Sequence, residues 1–205
     1  MFSEAIKLEQ RGVFDKLKNF PEFYLAGGTA LALQIGHRIS VDFDLFFGRN
    51  LPDSLLKKVR RIFKGSKIKV QINHSEQLTL NLNSTQLTFV KYPYPLISKL
   101  ETYQRVKLLS VPEIAATKAF TVGRRITFKD YVDLYFILKE KFISLPKIID
   151  ICEKKYKKEF NDRLFLEQLV YSEDVEETPI QFLKRPVSKK EIEDYFQKVI
   201  KKLKL

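Results

Sequence analysis

The chain of 205 residues is long enough for one large domain or two small ones with a hydrophobic core. Hydrophobic residues make up 44% of the sequence and aromatic residues 13%, a composition that excludes an intrinsically disordered protein. No apolar run approaches the roughly 18 residues of a membrane span, so no membrane partner is expected. The single cysteine, Cys152, excludes an intrachain disulfide, and the cytoplasm is the predicted location.

The net charge of +12 is the compositional feature that points to a partner. A strongly basic protein attracts polyanions, so RNA is a predicted partner. A lysine-rich proteome would give the same charge without such a partner. Charge alone leaves both explanations open.

The first elements follow from the spacing of apolar residues. This spacing predicts a helix over residues 3–18 and a short apolar strand over residues 23–26. A tight turn at Gly27 and Gly28 is predicted next, because glycine adopts the backbone angles that such a turn requires. A second helix is predicted for residues 29–36.

A second strand is predicted after this helix, and it carries Asp42 and Asp44. Because side chains alternate across a strand, both carboxylates are expected on one face. The apolar neighbours expected to face the core are Val41, Phe43 and Leu45. Neighbouring carboxylates repel unless a cation lies between them, and Mg²⁺ binds one or two carboxylates together with substrate phosphates. The pattern therefore predicts a magnesium site.

The residues before this strand suit a phosphate. Gly27 and Gly28 allow the backbone to approach a ligand closely, and the N–H groups at the start of the following helix attract anions. Thr29 adds a hydroxyl at the same place. A purely structural alternative is a strand–turn–helix–strand unit whose aspartates cap a helix or face solvent.

Residues 52–64 are predicted to form a helix with an apolar stripe and a strongly basic opposite face. The basic residues are Lys57, Lys58, Arg60, Arg61 and Lys64. Residues 67–91 are predicted to form three strands, with the leucines of residues 78–82 facing the core. The polar residues expected to face away from it are Thr79, Asn81 and Asn83. Pro93 and Pro95 are predicted to end the sheet, which is expected to have about four or five strands.

From about residue 111 the pattern is helical. The helices are predicted for residues 111–125, 126–142, 145–160, 161–173 and 188–205. Ser188 and Glu191 form a predicted capping box at the start of the last helix. The chain is therefore predicted to contain an α/β domain over residues 1–100 and a helical domain over residues 101–205.

Several motifs occur in an order that resembles a known family. They are Gly27-Gly28-Thr29, His37-Arg38, Ser40, Asp42, Asp44, Leu45-Phe46, the segment 113–118 and the segment 129–135. Over roughly residues 20–140 the chain resembles the AbiEii/AbiGii toxin-type nucleotidyltransferases of the DNA-polymerase-β-like superfamily. The resemblance implies an α+β fold, an NTP donor and Mg²⁺ or Mn²⁺ as cofactor. It also implies a toxin that adds nucleotides to the 3′ end of tRNA and is opposed by a cognate antitoxin.

The resemblance also implies roles for individual residues. The implied catalytic residues are Asp42, Asp44, Lys118 and Asp130, of which Asp42 and Asp44 would hold the metal. The implied nucleotide-binding residues are Gly27, Gly28, Thr29, Arg38, Ser40 and Lys118. Lys118 would offset the charge of a triphosphate. Asp130 would orient the nucleotide, position a lysine or act as a base, and Asp133 would be a structural partner for an arginine.

One departure from the superfamily concerns the third metal-binding carboxylate. Polymerase-β-like enzymes usually provide it from a later strand, but residues 78–82 and 87–91 contain no Asp or Glu. Asn81 or Asn83 could face the site, yet an amide does not replace the charge of a carboxylate. Either one Mg²⁺ is bound by Asp42, Asp44 and the nucleotide, or Asp130 supplies the third function. Two other functions stay open: nucleotidylation of a protein, and a non-catalytic module that binds nucleotides or RNA.

Overall fold

A computed structural model describes residues 1–122, 124, 127–171 and 174–203. The chain divides into two compact units. The first comprises Met1–Pro95 and Lys99–Ser110, and the second comprises Leu96–Ser98 and the chain from Val111 onward. The first unit thus ends at Ser110, whereas the sequence predicts a domain boundary at residue 100.

The first unit is a mixed sheet with helices. The strands are β1 (Tyr24–Ala26), β2 (Phe43–Phe47), β3 (Ile68–His74), β4 (Gln77–Leu82), β5 (Thr85–Lys91), β6 (Glu101–Tyr103) and β7 (Val106–Leu108). The helices are α1 (Leu8–Leu17), α2 (Gly27–Ile35) and α3 (Leu55–Ile62). The described strands lie in the order β3-β4-β5-β2-β1-β7-β6. β2 is central, antiparallel to β1 and parallel to β5.

The first helix is shorter than predicted. Ser3–Ala5 form a separate 3₁₀ turn, and the extended backbone of Ile6 interrupts the helical path. α1 therefore begins at Leu8, where Gln10 Oε1 accepts a hydrogen bond of 3.0 Å from the N–H of Lys7. The local hydrogen bond fixes the start of the helix at a place that periodicity does not reveal.

The prediction that Pro93 and Pro95 end the sheet is wrong. A hairpin of β6 and β7 extends it, and Leu108 pairs with Leu25 of β1 in a parallel arrangement. Its turn is formed by Gln104 and Arg105, with positive φ angles of 47° and 66°. Hairpin turns of this kind usually contain glycine or asparagine, so the sequence carries no turn signal here.

The two faces of the sheet differ in chemistry. Phe43 and Leu45 of β2 are fully buried and stand in register with Leu87 and Phe89 of β5. Leucines of β4 complete this apolar face as predicted: Leu78, Leu80 and Leu82. The opposite face carries Asp44, Thr88 and Thr79 in one row. Thr79 thus faces away from the leucines as predicted, but it is only 5% exposed.

The second unit is helical. Its helices are α4 (Val111–Val122), α5 (Phe128–Lys139), α6 (Leu145–Tyr156), α7 (Asp162–Val170) and α8 (Lys189–Lys201). Ser188 caps α8 as predicted, since its Oγ accepts a hydrogen bond from the N–H of Glu191. The Glu191 carboxylate does not complete the box and accepts from the hydroxyl of Tyr135 instead. The predicted extension of α4 to residue 125 falls partly on residues 123 and 125, which lie outside the described residues. No helix in the described ranges is long and apolar enough to cross a membrane.

Candidate functional site

Asp44 lies at the centre of the sheet, next to the start of α2. Its strand neighbours are Ala26 on β1 and Thr88 on β5. A Cβ atom built on Gly27 would lie 2.8 Å from Asp44 Oδ2, a distance that real side chains do not allow. Gly27 also has a φ angle of +66° and is the first residue of α2. The predicted turn is therefore part of the start of the helix. Glycine is therefore required here by both space and backbone conformation.

Arg38 lies against the second glycine of the pair. α2 ends at Gly36, whose φ of +63° reverses the chain direction. The following residues return along the helix, so the guanidinium of Arg38 reaches Gly28 at the opposite end of α2. A Cβ on Gly28 would lie 2.4 Å from Arg38 Nη2 and 3.4 Å from Ser40 Oγ. Arg38 is 4% exposed and is positioned beside the start of α2, not at its C-terminal end.

The segment that leads into β2 is anchored at each of three consecutive residues. The N–H of Ser40 donates to the carbonyl of Ala5 over 2.9 Å, and the side chain of Gln10 donates to the carbonyl of Val41. Thr29 Oγ1 donates to the carbonyl of Asp42 and lies 2.8 Å from Ser40 Oγ. These bonds hold the Asp42 backbone, although Asp42 itself precedes the strand.

The structure thus corrects two details of the predicted strand. β2 begins at Phe43 and includes Asp44 but not Asp42. Val41 is 36% exposed and does not face the core as predicted. The reason is that hydrogen bonds to other elements, not strand pairing, determine the backbone before Phe43.

A divalent cation and a phosphate both fit this arrangement. Asp42 is exposed and Asp44 is half-buried, and carboxylate oxygens are the ligands that Mg²⁺ prefers. The N–H groups at the start of α2, the Arg38 guanidinium and the Ser40 hydroxyl are donors suited to phosphate oxygens. No group of three or more His, Cys, Asp and Glu side chains among the described residues could bind a metal. A cation here would therefore use two carboxylates and ligands from the substrate or water.

The strand positions beside Asp44, where a third carboxylate is expected, carry uncharged side chains. Thr88 is the direct neighbour of Asp44, and its Oγ1 lies 3.5 Å from Thr79 Oγ1. Asn83 is in the β4–β5 turn, where its Oδ1 accepts from the N–H of Lys67, so it does not face the site. Asn81 pairs with Gln86 on β5. Uncharged side chains thus occupy this face of both strands.

Lys118 forms a buried charge cluster in the second unit. Its Nζ lies 2.6 Å from Asp130 Oδ1 and 2.6 Å from Asp133 Oδ2. The two aspartates are three residues apart on α5, so they meet one partner on α4. Asp133 thus pairs with this lysine, and its predicted role as a partner for an arginine stays a prediction. Of the roles considered for Asp130, the positioning of a lysine agrees with this contact.

A second buried ion pair in the same unit escapes sequence analysis. Glu113 of α4 and Lys155 of α6 are in direct contact, and both side chains are completely buried. Glu113 Oε1 also accepts hydrogen bonds from the N–H groups of Ile97 and Ser98, at 2.5 and 2.7 Å. In the sequence, the one sign of this pair is that Glu113 is an acidic residue in an otherwise apolar helix segment.

The fold defines the class of protein. JHP933 from Helicobacter pylori is similar over 99% of this chain and 94% of its own, with a TM-score of 0.57 and 17% identity. MenT4, a nucleotidyltransferase toxin from Mycobacterium tuberculosis H37Rv, is similar over 91% of this chain and 80% of its own. Its TM-score is 0.58 and its identity 17%. The chain has the nucleotidyltransferase fold, which confirms the predicted α+β class although the sheet has more strands than predicted.

The sequence defines the family. The model of the family described as "Nucleotidyl transferase AbiEii toxin, Type IV TA system" matches residues 11–205. An uncharacterized protein of Aquifex aeolicus (strain VF5) is 30% identical over 201 residues, which are 96% of each chain. The chain therefore belongs to the AbiEii nucleotidyltransferase toxin family, as its motifs predict, and is a nucleotidyltransferase.

Replacing Gly27 by alanine is expected to lower nucleotidyl transfer by about 100-fold, because the new methyl group displaces the Asp44 carboxylate. The positive φ angle adds a cost of about 1–2 kcal/mol to folding. Gly12→Ala is the matched control, since nothing lies within 4 Å of its Cβ position. That variant should keep full activity and gain about 0.5–1 kcal/mol of stability. Transfer rates and urea unfolding of both variants test the prediction, and an active Gly27→Ala enzyme would contradict it.

Proposed function

We propose that the protein transfers a nucleotidyl group from an NTP to a hydroxyl group at the 3′ end of tRNA. Asp42 and Asp44 bind the divalent cation, with Mg²⁺ as the physiological ion and Mn²⁺ as a substitute. The observation that carries this proposal is the position of Asp44 directly beside Gly27 at the start of α2. It brings a metal-binding carboxylate and phosphate-binding N–H groups to one place.

A divalent cation bound there would supply Lewis-acid stabilisation of the charge that develops on the transferred phosphate. The protein's own residues bind and orient the nucleotide. The N–H groups that begin α2 donate to phosphate oxygens, and the glycines leave the space that this approach requires. Arg38 adds a charged donor at the same end of α2, held in place by its burial and by a hydrogen bond from Nη1 to the Ile39 carbonyl.

Thr29 and Ser40 have supporting roles in this proposal. The Thr29 hydroxyl fixes the backbone of Asp42 and lies within 2.8 Å of Ser40 Oγ, so it orients both neighbours. Ser40 Oγ in turn points to the space next to Gly28, where a phosphate oxygen would accept from it. The two hydroxyl residues therefore connect the phosphate donors to the carboxylate that binds the metal.

Lys118 and Asp130 are proposed to complete the nucleotide site. Lys118 neutralises the triphosphate, and Asp130 keeps the ammonium group in a fixed position through its 2.6 Å contact. Asp133 shares this task through a second contact of the same length. Because the lysine already has two carboxylate partners, its charge alone contributes less to triphosphate binding than a lysine without such partners would.

We also propose that the acceptor is RNA and that the protein is the toxin of a toxin–antitoxin pair. RNA as acceptor agrees with the net charge of +12. A role as the toxin of a toxin–antitoxin pair agrees with the family, and a cognate antitoxin would oppose it in the cytoplasm. A small DNA-binding or antitoxin-like reading frame beside this one would support the pairing.

The test is incubation with each of the four labelled NTPs, Mg²⁺ and total RNA. The wild-type enzyme is expected to label RNA of tRNA size, and Asp42→Ala is expected to label it at least about 100-fold less, as loss of a metal ligand predicts. A chelator in place of Mg²⁺ should have the same effect. Equal background labelling by wild type and Asp42→Ala would refute transfer to RNA.

The same reactions separate the alternative functions. Label on a protein gel and none on RNA would identify a protein hydroxyl as the acceptor. Binding of RNA without turnover of any NTP would identify a non-catalytic module, for which the absence of a third strand carboxylate offers a physical reason.

A further inference from the structure

The chain between Asp53 and Glu76 contains cations but no acidic residue. Six of its basic side chains are exposed on α3, on the segment between α3 and β3, and on β3 itself: Lys57, Arg60, Arg61, Lys64, Lys67 and Lys69. We call these six residues the α3 basic face. β3 is an edge strand of the sheet, so its Lys69 lies at a border of the unit that no further described strand covers.

The absence of acidic residues distinguishes this face from the other basic parts of the surface. Several basic residues elsewhere on the surface pair with acids, as Lys91 does with Glu76, Lys147 with Asp150 and Lys184 with Glu140. Within the described parts of the chain, none of the six residues of the α3 basic face forms an ion pair. Lys58, the one remaining cation of α3, is half-buried and pairs with Glu22. A lysine-rich composition alone would leave acids among the cations, as Glu191, Glu193 and Asp194 are among the lysines of α8.

The packing of α3 places this face on the side of the sheet away from Asp44. The ring of Phe63, at the end of α3, stacks on Phe20, and Phe20 contacts Phe89 of β5. Phe89 stands in register with Leu45, whereas Asp44 stands in register with Thr88. Since successive residues of a strand point to opposite faces, α3 covers the face opposite Asp44. The outward cations lie a further helix diameter, about 10 Å, beyond the sheet.

The chemistry of the face fits a polyanion better than a membrane or an apolar protein surface. Its six cations are spread over a helix and an edge strand. Such a spaced set of charges suits the successive phosphates of a nucleic acid backbone. The apolar residues of α3 point inward, with Leu55, Val59 and Phe63 at most 3% exposed. An interfacial helix would need bulky apolar side chains on its surface to insert into a membrane.

We propose that the α3 basic face binds the body of the RNA acceptor, at a distance from the end that reacts. This rests on the proposed function for the identity of the acceptor. The face contacts phosphates and contributes affinity, while the groups around Asp44 act on the nucleotide. It therefore lowers the KM for RNA and leaves the rate at saturating RNA unchanged.

The test compares two variants with equal net charge. One replaces Lys57, Arg60, Arg61 and Lys64 by glutamine. The control replaces four exposed lysines of the α8 region by glutamine: Lys190, Lys198, Lys201 and Lys202. RNA binding is measured by fluorescence anisotropy with labelled tRNA over a range of salt concentrations, and transfer is measured with full-length tRNA and with a short single-stranded RNA acceptor.

The α3 variant is expected to bind tRNA about 30-fold more weakly than wild type at about 0.1 M salt, with a salt slope smaller by about 2. Its KM for tRNA should rise by a similar factor, while kcat at saturation and transfer to the short acceptor stay within about twofold. The α8 control should retain wild-type affinity within about threefold, because its charge loss is equal but in another place.

The outcomes separate this proposal from the proposed function. If wild type labels tRNA and the two variants bind and react alike, the docking role is refuted and the proposed function stands. If wild type labels no RNA, the proposed function fails, and the binding data alone decide the docking role by the same comparison. Loss of binding to vesicles of anionic lipid in the α3 variant, with tRNA affinity unchanged, would overturn the proposal in favour of a membrane surface.

Discussion

Asp44→Asn is expected to lower the rate of nucleotidyl transfer by about a thousandfold or more, equivalent to about 4 kcal/mol of transition-state stabilisation. The substitution keeps the size of the side chain and its place between Ala26 and Thr88, so the sheet should be preserved. It removes one of the two negative charges that are proposed to bind the cation. With no third carboxylate on the neighbouring strands, no other residue of this face can replace that charge.

The control for this experiment is Asp53→Asn, which changes an exposed aspartate of the same unit near the start of α3. Rates are measured with labelled NTP at several Mg²⁺ concentrations, and folding is followed by circular dichroism on heating. Asp53→Asn should match wild type in both measurements. Asp44→Asn with more than a tenth of wild-type activity at the usual Mg²⁺ concentration would show that Asp44 is not a metal ligand.

Much of the first unit was predictable because its signals are local. The alternation of leucines in residues 78–82 predicts β4, and the glycines at Gly27 and Gly28 predict the turn beside Asp44. The structure gives both glycines a spatial reason, since a methyl group on either would collide with Asp44 or Arg38. These features depend only on periodicity and on backbone conformation, which a single sequence contains.

Features that depend on contacts between distant residues were not predictable. The backbone of residues 40–42 is held by Ala5, Gln10 and Thr29, and none of these bonds leaves a pattern in the sequence. The same holds for the paired aspartates around Lys118, where the resemblance predicts the residues but not their mutual contacts. A lysine that meets two carboxylates and a lysine that faces a triphosphate look identical in a sequence.

The side chains on the strand beside Asp44 were predictable only in part. The absence of Asp and Glu in residues 78–82 and 87–91 is visible in the sequence. Which residue replaces the missing acid depends on strand register, and the structure identifies Thr88. The register also places Thr79, which is buried, directly beside Thr88 in the same row.

The ion pair of Glu113 and Lys155 leads to the largest expected change in stability. Both side chains are completely buried, so removal of either partner leaves a charge in a medium of low dielectric constant. Lys155→Met is expected to lower the free energy of unfolding by about 3–5 kcal/mol. Lys154→Met is the control: Lys154 is the preceding residue, is 57% exposed and pairs with Asp150 on the surface, so little change is expected.

A double substitution distinguishes a lost charge partner from lost packing. Glu113→Gln combined with Lys155→Met removes both charges, and the amide oxygen can still accept from the N–H groups of Ile97 and Ser98. The double variant is therefore expected to be more stable than Lys155→Met alone. If the effects of the two single substitutions simply add, the ion pair does not determine the stability of this unit.

Cys152 provides a local probe for the same experiment. It lies on α6, one turn before Lys155, and its Sγ donates to the Ala116 carbonyl over 3.4 Å. Burial raises the pKa of its thiol, so the folded protein should react slowly with thiol reagents at neutral pH. Lys155→Met should accelerate this reaction by opening the helices around α6, while Lys154→Met should not. Because the rate follows the population of the open state, thiol labelling and urea unfolding should report the same order of stability among the variants.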